Sequence, residues 1–163
     1  MNSYMKNIEQ ILKDLQSGVV DVKTAQQQIM ELQVNERNKT IDLGFAKLDV
    51  DREKRTGFPE VIFGEGKTVE QLIMIFQKLQ LASDKILATR VNPGKAEVLM
   101  NAVTGLTYHP GANAVTWFKK PILKVHAGYV AVVCAGTSDL PVAEEAALTI
   151  ECMESHVEKI YDV

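Results

Sequence analysis

An apolar run ending at Cys134 breaks at Gly136 into Thr137, Ser138 and Asp139, and a helix-forming stretch of alanines and glutamates then runs from Pro141 to Ala147. A hydrophobic strand that meets a glycine, small hydroxyls and an acid just before a helix is the strand-turn-helix step of an open α/β sheet, whose ligand crevice lies at the strands' carboxyl ends. This segment constrains the fold more than any other. The glycine is expected to let the chain turn tightly, with the hydroxyls and carboxylate beside the free N–H groups of the next helix, a setting for a polar or anionic ligand. The competing reading is purely structural: Ser138 or Asp139 caps the helix and Pro141 fills its first turn. Both can hold together. Only 16 residues follow Ala147, fewer than a doubly wound sheet needs, so the chain is expected to stop inside this α/β domain.

The rest of the sequence divides by periodicity. Ile8, Ile11, Leu12 and Leu15 share one helical face; Ser17 and Gly18 interrupt it; Val22, Ala25, Ile29 and Leu32 resume it behind Asp21, a fitting N-cap. A helical hairpin over 1–38 is expected, more naturally packed on its own protein than used as a partner-binding element. An α+β module over 39–125 follows. Its short apolar pieces run Ile41 to Phe45 and Val61 to Phe63. Thr68 and Gln71 form a capping-box pair ahead of a helix with the stripe Leu72, Ile73, Phe76 and Leu79, ending near Ser83. Lys85 to Val91 reads as a strand broken by Asn92, Pro93 and Gly94, and Lys95 to Ala102 as a helix. Leu106 to Tyr108 and Val115 to Phe118 pair as a hairpin. Punctuation from Lys119 to Gly128 marks the passage to the last segment, 126–163, where a strand (Gly128 to Ala135), a helix (about Pro141 to Glu154) and a strand (Val157 to Tyr161) make one βαβ unit.

Composition narrows the function. A hydrophobic content of 46% supports a packed core, and a net charge of −3 without a dense basic tract argues against nucleic-acid binding. No apolar run approaches the roughly 20 residues of a membrane span, and the N-terminus is unlike a signal peptide, so a cytoplasmic protein is expected. Cys134 and Cys152 form no CxxC pair and read as buried thiols. His109, His126 and His156 lack ligand spacing and read as loop or surface residues, so no protein-borne metal site is assigned. Gly66, Lys67 and Thr68 mimic the end of a P-loop, but that pattern needs glycine at position 61, which is Val61, and no GxGxxG fingerprint occurs.

A second polar group comprises Asp49, Arg52, Arg55, Glu60 and Lys67. Arginines three apart face the same way on a helix and suit bidentate contacts to phosphate or carboxylate. The alternative is a solvated charged loop, although Gly57, Phe58 and Pro59 favour a fixed conformation.

Taken together, Asp49, Arg52, Arg55, Gly57, Pro59, Glu60, Val61, Ile62, Phe63, Gly64, Gly66, Lys67 and Thr68, followed by the run from Ala135 through Ala146, closely resemble the LarB family. That family makes the nickel-pincer nucleotide of lactate racemase, and its C-terminal domain is similar to PurE. The resemblance implies an α/β fold: an N-terminal helical hairpin, a small α+β module, then the first βαβ unit of a PurE-like, flavodoxin-like parallel sheet, incomplete here. The implied activity is a carboxylase and hydrolase turning nicotinic acid adenine dinucleotide and carbon dioxide (or bicarbonate) into pyridinium-3,5-biscarboxylic acid mononucleotide and AMP. A family cysteine adds to the pyridinium ring as a soft nucleophile.

Carried onto this sequence, Ser138 and Asp139 match the catalytic turn, while Arg52, Arg55, Glu60, Lys67, Gly136 and Thr137 match substrate-binding positions. No tightly bound cofactor is implied, with Mg²⁺ required only for the anhydride cleavage, and PurE-like domains form homo-octamers. Neither Cys134 nor Cys152 stands where the family's nucleophile does. The chain alone is therefore expected to be inactive, as a fragment, as half of a split enzyme, or as a non-catalytic anion-binding or interaction module. The runner-up activity is PurE-type aminoimidazole ribonucleotide carboxylation or mutation.

Overall fold

The computed structural model describes residues 3–37, with side chains for 8–32, then 40–50, 52–53 and 58–162. The chain is mixed α/β and divides into two compact units, residues 1–51 and 52–163.

The first unit holds α1 (Ser3–Gln16), α2 (Val22–Arg37), β1 (Thr40–Asp42) and β2 (Lys47–Asp49). Helix α1 ends where Gly18 takes φ 74°, a left-handed turn that glycine adopts without Cβ strain, while Ser17 N–H and Val19 N–H reach back to the carbonyls of Lys13 and Asp14. The Oδ1 of Asp21 accepts the N–H of Thr24 at 2.7 Å, so the expected cap starts α2; hydrogen bonding from the Thr24 side chain, and then from its N–H, lowers the Asp21 pKa. β1 and β2 pair antiparallel, with Ile41 opposite Leu48.

The second unit is built on a four-stranded sheet of order β3-β4-β6-β5, where β3 is Val61–Phe63, β4 Lys85–Thr89, β5 Thr107–His109 and β6 Ala114–Phe118. β3 and β4 are parallel, joined through α3 (Val69–Ala82); β6 is antiparallel to both β4 and β5. Strand β4 is central, and Ile86, Leu87, Ala88 and Thr89 are all buried, which accounts for its unbroken apolar sequence.

Thr68 and Gln71 form the full reciprocal capping box at the start of α3, an arrangement that contributes about 1 kcal/mol. Its buried stripe is Leu72, Ile75, Phe76 and Leu79. Spacings of three, four and seven select Ile75; Ile73, the expected member, is only half-buried because it falls off that face. Each fully buried side chain of this size contributes roughly 1.5–3 kcal/mol.

Helix α4 (Pro93–Ala102) begins earlier than the expected Lys95: Asn92 is its N-cap, accepting Lys95 N–H at 2.9 Å, and Pro93 occupies the first turn. The Asn-Pro-Gly run therefore starts this helix as well as ending β4. A 3₁₀ turn, Pro110–Ala112, lies inside the β5–β6 hairpin.

A separate two-stranded sheet pairs β7 (Tyr129–Cys134) with β8 (His156–Tyr161) in parallel across α5 (Leu140–Cys152), the expected βαβ unit. α5 packs on both of these strands and also on β4 and the 3₁₀ turn. Leu148 and Cys152 thereby share one core with Leu87, Ala112 and Ala114, against which Phe118 packs.

Candidate functional site

The segment 136–139 stands at the carboxyl end of β7. Thr137, Ser138 and Asp139 form a 3₁₀ turn closed by Asp139 N–H on the carbonyl of Gly136 at 3.1 Å, and all three are exposed. Gly136 has φ −109° and ψ 139°, a conformation open to any residue. A Cβ there would meet Ser138 Oγ at 3.6 Å and Asp139 Oδ2 at 3.7 Å, ordinary contacts. The tight turn expected of this glycine is thus not what places it. Asp139 occupies the N-cap position of α5 but makes no side-chain capping bond, because its φ −94° and ψ −7° are helical, whereas a capping side chain needs an extended backbone. Its carboxylate, with Ser138 Oγ beside it, faces solvent at a strand's end. Pro141 does sit in the first turn, as expected.

The N-terminal signature is only partly in view. Arg55 and Gly57 lie outside the described residues. Arg52 Nε stands 3.8 Å from Glu60 Oε2, an ion pair on a half-exposed surface. Asp49 belongs to the first unit. Lys67 is half-buried in the β3–α3 loop, where its N–H meets the carbonyl of Gly64 at 3.3 Å. Thr68 next to it is committed to the helix cap.

A cleft of about 240 Å³ lined by Glu65, Arg90, Asn92, Lys95 and Asn113 opens at the carboxyl ends of the parallel strands β3 and β4, and sequence reasoning did not find it. It exists because the two strand ends come very close: Gly64 N–H bonds Thr89 O at 2.8 Å, and a Cβ on Gly64 would lie 2.8 Å from both Thr89 O and Val91 Cγ2. Past β4, Arg90 turns into the left-handed region at φ 56°, and Val91 N–H bonds the carbonyl of Asn113, itself left-handed at φ 46°. Lys95 Nζ donates to the carbonyls of Gly64 and Glu65 at 3.1 and 3.0 Å. Arg90 Nε pairs with Glu145 Oε2 at 2.9 Å, joining the cleft to α5. The missed signal was topological: once β3 and β4 are paired in parallel, residues just past either strand become site candidates.

At the opposite end of β4, a cavity of about 330 Å³ is lined by Glu53, Lys85, Phe118, Ile122 and Glu154 among others. Lys85 Nζ sits between Glu53 Oε1 at 3.1 Å and Glu154 Oε1 at 3.0 Å. Burial alone would lower its pKa; hydrogen bonds and charge from Glu154 and Glu53 outweigh that and raise it. His109, expected on a loop or surface, is partly buried at the end of β5 with Nε2 2.9 Å from Thr116 Oγ1.

Both cysteines are buried and unpaired. Burial pushes the Cys152 thiol up to about 12, and Cys134 Sγ donates to Gly136 O at 3.2 Å. Among the described residues no group of three or more His, Cys, Asp or Glu is placed to hold a metal ion, and no helix is long and apolar enough to cross a membrane.

The family model described as the LarB/PurE-like N-terminal domain matches residues 40–120. An uncharacterized protein of Methanocaldococcus jannaschii is 30% identical over 165 residues, an alignment that takes in 97% of this chain and 62% of that protein. The chain thus spans about three-fifths of that relative's length.

Proposed function

Residues 40–120 belong to the LarB/PurE-like N-terminal domain family, and from that premise we propose that this chain is part of a carboxylase acting on a pyridinium nucleotide. The substrate is nicotinic acid adenine dinucleotide, and the products are pyridinium-3,5-biscarboxylic acid mononucleotide and AMP. A thiolate adds to the electron-poor ring and turns it into an enamine. The ring carbon C5 attacks carbon dioxide, C5 then loses its proton, and expulsion of the thiolate restores the pyridinium. Water cleaves the phosphoanhydride in a separate step.

Neither Cys134 nor Cys152 supplies the thiolate. Both are buried, and burial holds the Cys152 thiol near 12, scarcely ionised at neutral pH. The nucleophile is therefore assigned to another polypeptide segment. Ser138 and Asp139 contribute a hydroxyl and a carboxylate at the strand end, Asp139 as acceptor for the departing proton. Arg52, Arg55 and Lys67 supply cations for phosphate or carboxylate groups, and Glu60 positions Arg52. Mg²⁺, where the anhydride cleavage needs it, would arrive with the phosphates.

The observation that carries this reading is the Asp139 carboxylate, which stands at the end of β7 without being spent on capping α5. Calorimetric titration of the chain with nicotinic acid adenine dinucleotide, beside aminoimidazole ribonucleotide, tests it. Binding of the dinucleotide that weakens at least tenfold in Asp139→Asn supports the proposal. Preference for the imidazole nucleotide, or indifference to Asp139→Asn, overturns it.

A further inference from the structure

The cleft between the ends of β3 and β4 is a concavity of hydrogen-bond donors with capacity to spare. Asn92 spends its Oδ1 on Lys95 N–H, and Asn113 accepts Tyr108 Oη–H on its Oδ1 at 3.2 Å. Each amide therefore turns its NH₂ elsewhere, and neither NH₂ has a partner among the described residues. Arg90 meets Glu145 through Nε at 2.9 Å; its terminal guanidinium nitrogens make no hydrogen bond among the described residues. Lys95 Nζ donates to two carbonyls, leaving one of its three N–H groups over and a positive charge that those neutral oxygens do not cancel. Arg90, Asn92, Lys95, Asn113 and Glu65 line a single cleft of about 240 Å³.

We propose that this cleft binds a phosphate ester, with Arg90, Lys95, Asn92 and Asn113 donating to the phosphate oxygens and Glu65 accepting from a hydroxyl on the esterified sugar. Arginine's planar fork and a lysine point charge are the two common phosphate donors. Glu65 favours a sugar ester over inorganic phosphate: both probes are anions, and only the ester brings a sugar hydroxyl from which the carboxylate accepts. The assignment is independent of the carboxylation reading, since it uses none of the residues named there. No bond is made or broken.

The test is a titration of the isotope-labelled chain with ribose 5-phosphate, and separately with inorganic phosphate, followed through backbone amide shifts at constant ionic strength. Asn92→Asp and Asn113→Asp are the informative variants. Each keeps the oxygen that caps α4 or receives Tyr108, and replaces the NH₂ donor with a negative oxygen. Shifts concentrated at residues 64–67, 90–95 and 113, with affinity for the ester falling at least tenfold in either variant and in Arg90→Gln, are expected, while thermal melts confirm that the variants fold. Shifts scattered over the surface, or unchanged affinity in well-folded variants, overturn the site. In Glu65→Gln the preference for the ester over inorganic phosphate should shrink. Equal affinity of the unaltered chain for the two probes overturns the ester assignment.

Discussion

Arg90 Nε lies 2.9 Å from Glu145 Oε2, so the residue that closes β4 is tied to the helix of the βαβ unit. That arginine adopts φ 56°, a conformation that costs a non-glycine residue roughly 1–2 kcal/mol. The ion pair, half-exposed at the arginine end, returns only about 0.2–1 kcal/mol. Arg90→Gly relieves the strain as it breaks the pair, and is expected to keep stability within about 1 kcal/mol of the parent. Arg90→Ala breaks the pair without relief and should fall about 1 kcal/mol below Arg90→Gly. Urea unfolding of the two variants measures the difference; equal midpoints would show that the turn stores no strain.

Lys85, between Glu53 and Glu154, has its pKa raised. A raised lysine contributes stability that is complete below its unfolded value of about 10.4 and is lost as pH climbs through the folded value. Thermal melts from pH 9 to 12 should therefore show an alkaline drop that Lys85→Met lacks. At neutral pH that variant leaves two carboxylates facing each other and is expected to lose about 1–3 kcal/mol.

For His109 the sign reverses. Burial lowers its pKa, Lys159 lowers it further and Glu151 opposes them. Its stabilising contribution belongs to the neutral ring, present above about pH 6.5 and lost as pH falls toward the folded value. Between pH 7.5 and 5.0 the parent should lose more stability in urea than His109→Gln does, and identical losses would remove His109 from the acid response.

Cys152 is 1% exposed and Cys134 7% exposed. A thiol-specific disulfide reagent at pH 8 should modify neither on the timescale of minutes in the native chain, and both after addition of guanidinium. Rapid native labelling at Cys134 would reopen that residue as a nucleophile.

Local signals were the legible ones. Asp21, Thr68 and Gln71 announce helix starts because a cap depends on a few neighbouring atoms, and each does what its spacing implies. The βαβ unit and the β5–β6 hairpin were likewise visible in strand length and turn residues. That Asp139 leaves its side chain out of the cap was not foreseeable, since the choice between an extended and a 3₁₀ entry into α5 depends on how α5 seats against the sheets. The Arg90 cleft escaped because parallel pairing of β3 with β4 is a long-range fact that no short window contains. Even Asn92, a cap by chemistry, was hidden by the stronger breaking signal of Pro93 and Gly94.

The shared core of Leu87, Ala112, Ala114, Leu148 and Cys152 bears on the inheritance of this fold. Recombination between the codons for Phe118 and Tyr129 would part Leu148 and Cys152 from the strands they pack on, exposing apolar surface in both daughter products. Selection should therefore pass the sheet and the βαβ unit on together, and lineages that exchange one of them should show matched substitutions at Leu87 and Leu148.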